Sequence, residues 1–204
     1  MHFANHIQEN SDTSIRRRDI DSGDINRCDR LAKRKHKISY LRTLLQYHPR
    51  IGNFTWKVRR NSHGGPVIPG TVAGSRNKAG RTQIGIDGHL YKTHTLAWAF
   101  MTGSWPRKGI EIDHKDGNDA NNKWRNLRLA THAQNNWNVH RLYKTNKSGR
   151  RGVSWCEPRN VWHVNIAVNK KHYYLGAFPK KQLAEAVEVR RAAELKYYGE
   201  YAPD

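Results

Sequence analysis

The sequence predicts an α+β fold in two small modules: a strand–loop–strand–helix unit, then a three-stranded antiparallel sheet carrying one long helix. Three observations point there. Ile110/Ile112 and Leu127/Leu129 alternate with polar residues on either side of a polar loop, and Thr131 behind them is a helix N-cap residue. After the polar, basic stretch 144–149 the pattern changes to three strand-like runs and a long Ala-rich segment. The hydrophobic share is only 36%, but seven Trp, nine Tyr and four Phe in 204 residues give compact, modest cores rather than a disordered chain.

In chain order, residues 1–39 are polar and then strongly basic (Arg16, Arg17, Arg18, Arg27, Arg30, Lys33, Arg34, Lys35, Lys37) and read as a mobile arm. The first module is expected over 40–143. It opens with a short helix at 40–45, and Phe54, Trp56 and Val58 then alternate as a strand. Asn61 to Pro66 is a turn cluster. Ile84 and Ile86 mark a strand, and Asp87-Gly88 supplies the positive backbone angles of a tight hairpin. A helix follows from His94 to Met101 and stops at Gly103. The helix after Thr131 is expected to run from His132 to about Arg141. Residues 144–149 form a linker, and the second module, 150–204, holds strands at 152–155, 162–168 and 172–175 and a helix at about 181–198.

Thirty-seven Lys and Arg against 17 Asp and Glu leave a formal charge of +20, a field that concentrates polyanions. No run approaches the roughly 18 apolar residues of a membrane span, and the basic residues are interleaved with aromatics rather than gathered on one amphipathic helix. Nucleic acid is therefore the expected partner, with no membrane. Cys28 and Cys156 stand alone, which leaves neither a zinc ribbon nor a disulfide framework. With no apolar signal core near Met1, a reducing, cytoplasmic setting is expected.

The densest chemistry is Ile112-Asp113-His114-Lys115-Asp116-Gly117-Asn118, followed by Asn121, Asn122, Asn126-Leu127-Arg128, Thr131 and Asn135. Phosphodiester hydrolysis needs a base for water and an electrophile for charge growing on the phosphoryl oxygens. Asp113 and Asn135 offer hard oxygen ligands that suit Mg2+ or Mn2+, and His114 is the candidate base. His132 and Asn136 stand beside Asn135 as further ligand candidates. An ordinary Asx-Gly hairpin is the competing reading of the loop. His94, among apolar neighbours, reads as a packing residue ahead of a DNA contact.

This segment closely resembles the HNH endonucleases of the phage and intron homing branch, from about Gln46 to His140 including HTLAWAF, EIDHKDGN, NLR and ATHAQN. The resemblance implies a ββα-metal nuclease domain in which Asp113 and Asn135 hold the metal, His114 activates water, and Asn126 shapes the loop and orients His114. The third signature position is Asn135 rather than His. The tail resembles the AP2 domain through Arg151-Gly152-Val153, Trp155, Trp162 and Tyr174-Leu175-Gly176-Ala177-Phe178. That resemblance implies a sheet reading the major groove, with Arg151, Trp155, Arg159, Trp162, Lys171 and Tyr173 as DNA contacts; the alternative is that Trp155, Trp162 and Tyr174 pack on the helix. Together these resemblances imply a homing-type endonuclease that acts on double-stranded DNA as a monomer or weak dimer. A DNA-binding regulator with an inactive nuclease fold and a basic RNA-binding protein are the competing functions.

Overall fold

Hydrophobic burial organises two groups of short elements in a computed structural model that describes residues 35–62, 65–78 and 80–203. The expected basic arm lies almost wholly outside the described residues, as does the tip of the turn cluster around 63–64. His36–Asp204 forms one compact unit.

Helix α1 (Ile38–Leu44) leads directly into β1 (Leu45–His48), which pairs antiparallel with β2 (Asn53–Trp56). The sequence pattern predicts no strand directly after this helix. Leu45 and Tyr47 supply it, because their side chains both fall on the buried face opposite Trp56 and Phe54. The turn cluster becomes a hairpin, β3 (Arg60–Ser62) with β4 (Gly65–Val67). Strands β5 (Ser75–Arg76), β6 (Thr82–Ile86) and β7 (His89–Lys92) form a three-stranded meander. Asp87 (φ 48°) and Gly88 (φ 77°) make its tight turn as the sequence dictates. Helix α2 (Thr93–Thr102) closes on Gly103 in the left-handed region. Phe54, Ile84, Ile86 and Leu96, all fully buried, form one core with Leu41, Tyr91, Ile112 and Leu127.

Strands β8 (Ile110–His114) and β9 (Leu127–Thr131) pair antiparallel and feed α3 (His132–Trp137). Thr131 caps α3 with a full capping box: its hydroxyl accepts from Gln134 N and the Gln134 side chain accepts from Thr131 N. The helix ends four residues before the expected Arg141. Its C-cap, Asn138, is buried with its side-chain amide turned back onto β8, where it serves as a polar anchor.

The second group is β10 (Val153–Cys156), β11 (Val161–Val168), β12 (Lys171–Pro179) and α4 (Leu183–Tyr198), with sheet order β10-β11-β12, all antiparallel. A bulge at Val164/Asn165 shifts the β11–β12 register. Val153, Trp162, Val164 and Ile166 face α4, against Ala186 and Ala193. Glu194 is 1% exposed and lies between Arg150 and Arg190, which compensate its charge.

Residues 144–149 are fastened rather than loose: Asn146 Oδ1 accepts from Gly149 N at 2.9 Å and Ser148 Oγ donates to Val153 O at 2.7 Å. Trp137 of α3 stacks on Tyr198 of α4 at 4.7 Å and 8°, and Arg151 donates to the Asn136 and Val139 carbonyls at the end of α3. The two groups are docked through side chains on both sides of the linker.

Gly52 (φ +85°) lets the β1–β2 turn press on the loop after β8: a Cβ there would meet Lys123 N at 2.4 Å. Gly52→Ala is expected to destabilise the protein by at least about 2 kcal/mol, from backbone strain plus the clash. Chemical denaturation checks this, and a wild-type midpoint would show that the turn can back away freely.

Candidate active site

Antiparallel register sets this site. Asp113 lies opposite Arg128, and His114 lies opposite Leu127 at the mouth of the loop. Alternation sends Ile112 and His114 to the core side, and Glu111 and Asp113 to the face under α3.

The loop 115–126 is built on Asp116 and Asn126. Asn126 Oδ1 accepts from Asp116 N at 3.2 Å, and its Nδ2 donates to Asp116 Oδ1 at 2.9 Å and Asn121 O at 2.8 Å. Asp116 also accepts from Asn121 Nδ2 and Asn118 N. Burial pushes the Asp116 carboxyl upward, but these hydrogen bonds outweigh it and hold the acid below its ordinary value. Gly117 is required because His140 covers it: a Cβ would sit 2.2 Å from His140 Cδ2.

His114 is 4% exposed. Its Nε2 is 3.0 Å from Asn122 Oδ1, and Nδ1 is 3.7 Å from Asp119 Oδ1. The Asn122 Nδ2 group is committed to Ala120 O at 3.4 Å, which turns Oδ1 toward the imidazole. In the neutral ring Nε2 therefore carries the proton and Nδ1 the lone pair. The Asn122 backbone carbonyl accepts from Tyr47 Oη at 2.6 Å, and burial pushes that phenol up to about 12, so it stays a donor. Asp119 is half-exposed and pairs with Arg81 Nε at 2.8 Å, in front of the imidazole. His94, read from sequence as a packing residue, meets His114 edge-on at 5.1 Å; burial first, and then the neighbouring His114, depress its pKa to about 3.

On the other face, the Asp113 carboxylate is 4% exposed and fully engaged. Arg128 Nε donates to Oδ2 at 2.7 Å, and Asn138 Nδ2 lies 3.1 Å from both oxygens and also donates to His114 O. Asn135 does not meet Asp113. Its Nδ2 donates to Glu111 Oε2, while Glu111 Oε1 is 2.9 Å from His132 Nδ1, and these two interactions lower the Glu111 pKa. Asn136 is exposed, and its carbonyl serves Arg151. Sequence reasoning missed Asn138. The signal was its i,i+3 spacing from Asn135, which puts both amides on the helix face over β8.

Among the described residues no cluster of three or more His, Cys, Asp or Glu side chains is arranged to hold a metal ion. The donors under α3 nevertheless suit a hard divalent ion: the carboxylates of Glu111 and Asp113 and the amide oxygens of Asn135 and Asn138. Asp113 Oδ1 meets only the neutral Asn138 amide, a weak partner for an ion to displace.

In the second group, Trp155 and Trp162 pack against each other at 4.9 Å beneath α4, and Trp162 Nε1 donates to Lys180 O. Tyr173 stacks on Tyr197 of α4 at 5.6 Å. Arg151 holds α3. Arg159 lies exposed in the turn after β10, and Lys171 lies exposed at the start of β12. The face away from α4 carries Ser154, His163, Asn165, His172 and Tyr174, with His163 and Tyr174 edge-to-face at 5.7 Å. Strict alternation from Trp162, Val164 and Ile166 already sends His163 and Asn165 to this face. For β12 the bulge hides the parity, because it moves Tyr174 opposite Asn165.

Comparison with known proteins gives a family match, a phage protein of similar sequence and a solved structure that aligns weakly. The sequence model of the HNH endonuclease family matches residues 91–137. Protein 3.8 of Escherichia phage T7 is 33% identical over 111 residues, which are 54% of this chain and 88% of that protein. The solved structure describing DNA binding and cleavage by the HNH homing endonuclease I-HmuI aligns at 20% identity with a TM-score of 0.34, covering 76% of this chain and 84% of that one.

His94 makes a pH prediction. Its folded pKa of about 3 lies below the ordinary value of 6.5, so the unfolded chain binds the extra proton. The stability it contributes is complete above about pH 6.5 and falls as pH drops toward 3, by at most about 1.4 kcal/mol per pH unit. His94→Leu is expected to flatten that slope in urea denaturation between pH 7 and 4.5. An unchanged slope would mean that His94 titrates normally.

Proposed function

This chain belongs to the HNH endonuclease family, and from that premise we propose that it is a metal-dependent DNA endonuclease of the homing type, hydrolysing phosphodiester bonds at preferred sites. The observation that carries the proposal is the end of β8, where a carboxylate and an imidazole leave opposite faces of one strand at adjacent positions. A base and an electrophile held this way can flank one phosphate. The charge of +20 supplies the attraction for its backbone.

In this mechanism Asp113, with Asn135 or Asn138, would hold Mg2+ or Mn2+. The bound ion supplies charge stabilisation at the phosphoryl and leaving oxygens. His114 Nδ1 takes a proton from the attacking water, while Asn122 keeps Nε2–H in place and the nearby Asp119 stabilises the resulting imidazolium. Water oxygen bonds to phosphorus, the bond to the 3′ oxygen breaks, and that oxygen takes up a proton, leaving a 5′-phosphate and a 3′-hydroxyl. Substrate reaches Nδ1 by opening the Arg81–Asp119 ion pair, with Asp119 staying beside the imidazole. As a half-exposed ion pair it contributes at most about 1 kcal/mol, an easily overcome obstacle. Asn126 acts by fixing the loop.

The second module serves as an AP2-like DNA reader, through Ser154, His163, Asn165, His172 and Tyr174, with Arg159 and Lys171 on flanking phosphates. Arg151, Trp155, Trp162 and Tyr173 support that face through packing and docking. One site per chain suits a monomer or weak dimer that nicks one strand. The host cytoplasm is the setting of such a phage-related enzyme. The full engagement of Asp113 favours one other reading, a DNA-binding regulator that does not cleave.

His114→Ala separates them. It is expected to cut nicking of plasmid DNA by about 10²- to 10⁴-fold in Mg2+ while leaving DNA affinity nearly intact. No nicking by either protein favours the regulator, whereas equal nicking by both overturns His114 as the base. For the reader, Tyr174→Ala and Asn165→Ala should each broaden the nick-site distribution on a random library, because each base-specific interaction removed takes away about 1 to 3 kcal/mol of discrimination. An unchanged distribution places recognition elsewhere.

A further inference from the structure

Arg128 is 9% exposed and stands between the candidate metal ligand and the turn at 199–201. Its Nε holds Asp113 Oδ2 at 2.7 Å. Its Nη1 donates to the backbone carbonyl of Glu200, and its guanidinium lies 4.3 Å over the Tyr201 ring. The Tyr201 hydroxyl in turn donates to Leu129 O at 2.8 Å, the residue after Arg128 on β9. Gly199–Tyr201 is a single 3-10 turn at the end of α4, and α4 itself is stacked on α3 through Tyr198 and Trp137. The second module thus meets the first at two places, the 3-10 turn on β9 and α4 on α3.

Resting on the nuclease reading above, we propose that Arg128 is a positioning residue for Asp113 and that Glu200 and Tyr201 hold it there, so the C-terminal turn completes the wall of the metal site. The asymmetry at the carboxylate supports this. Arg128 engages Oδ2 alone, whereas Oδ1 meets only the Asn138 amide. A guanidinium anchored at its far end keeps the carboxylate in one rotamer with Oδ1 turned away from it. A guanidinium without that anchor has a long, flexible stem and many rotamers. Partners behind a metal ligand commonly change metal affinity or activity by about 10- to 100-fold. The cation–π interaction and the Glu200 carbonyl also lower the cost of burying Arg128. Reading DNA with the second module and holding the cleavage site are then mechanically linked.

Full-length Tyr201→Ala tests the proposal, with Tyr201→Phe as its conservative partner. Three readouts apply: hydrogen exchange of the Arg128 Nε–H by NMR, Mn2+ affinity by titration without DNA, and kcat and KM for nicking. In Tyr201→Ala, the Nε–H loses protection, Mn2+ affinity and kcat each fall about 10-fold, KM stays put, and the melting temperature stays within about 3 °C of wild type. Tyr201→Phe keeps the ring and recovers most of the loss. Retained Nε–H protection with wild-type Mn2+ affinity overturns the proposal. So does tighter Mn2+ binding, which would make Arg128 a competitor of the ion, and so does a change in KM alone, which would make Tyr201 a DNA-binding residue. A wild-type chain that cuts no DNA defeats the nuclease reading, while the Nε–H exchange still decides whether the C-terminal turn holds Arg128.

Discussion

An ionised carboxylate with almost no access to water must be compensated, and Asp113 is compensated by Arg128 across the β8–β9 pair. Removing one partner of such a pair costs about 3 to 5 kcal/mol, because the other charge is left buried. That penalty fixes the register of the two strands, since a slip of one residue would point Asp113 and Arg128 to opposite faces. Asn138, the C-cap of α3, adds its amide to the same carboxylate.

The two sides of β8 are held by interactions of different strength. Under α3 the Asp113–Arg128 pair is buried, and its fastening reaches the turn at 199–201. In front of His114 the closing group is the half-exposed Arg81–Asp119 pair, worth at most about 1 kcal/mol. A rigidly held carboxylate behind and a yielding ion pair in front suit the proposed metal-assisted cleavage of a long polymer. The ordered imidazole, with Nε2 on Asn122 and an edge-on His94 kept neutral by burial, requires no rearrangement to present its lone pair.

Much of this was legible in the sequence. The alternation at Ile110–Ile112 and Leu127–Leu129, the Asp87-Gly88 turn and the Thr131 cap each have a local physical cause, and each appears in the fold. The coincidence of Asp113, His114 and Asn126 around one loop was likewise visible. The rest depends on nonlocal packing. Strand β1 owes its existence to burial of Leu45 and Tyr47 against residues that no short window contains. The pairing of Asn138 rather than Asn135 with Asp113 follows from how α3 crosses β8. Trp155, Trp162 and Tyr173 read equally as groove-binding or as packing residues, and only the position of α4 decides. The Arg128–Tyr201 link joins opposite ends of two modules, beyond the reach of any spacing rule.

Metal-assisted hydrolysis of DNA at the end of β8 is the proposed activity. The most direct measurement is to incubate the full chain with supercoiled plasmid in Mg2+ or Mn2+, repeat it in excess chelator, and identify the new ends. Nicking that requires the ion and leaves 5′-phosphate and 3′-hydroxyl termini is the expected result. Full activity in chelator, or no cleavage with either ion, contradicts it.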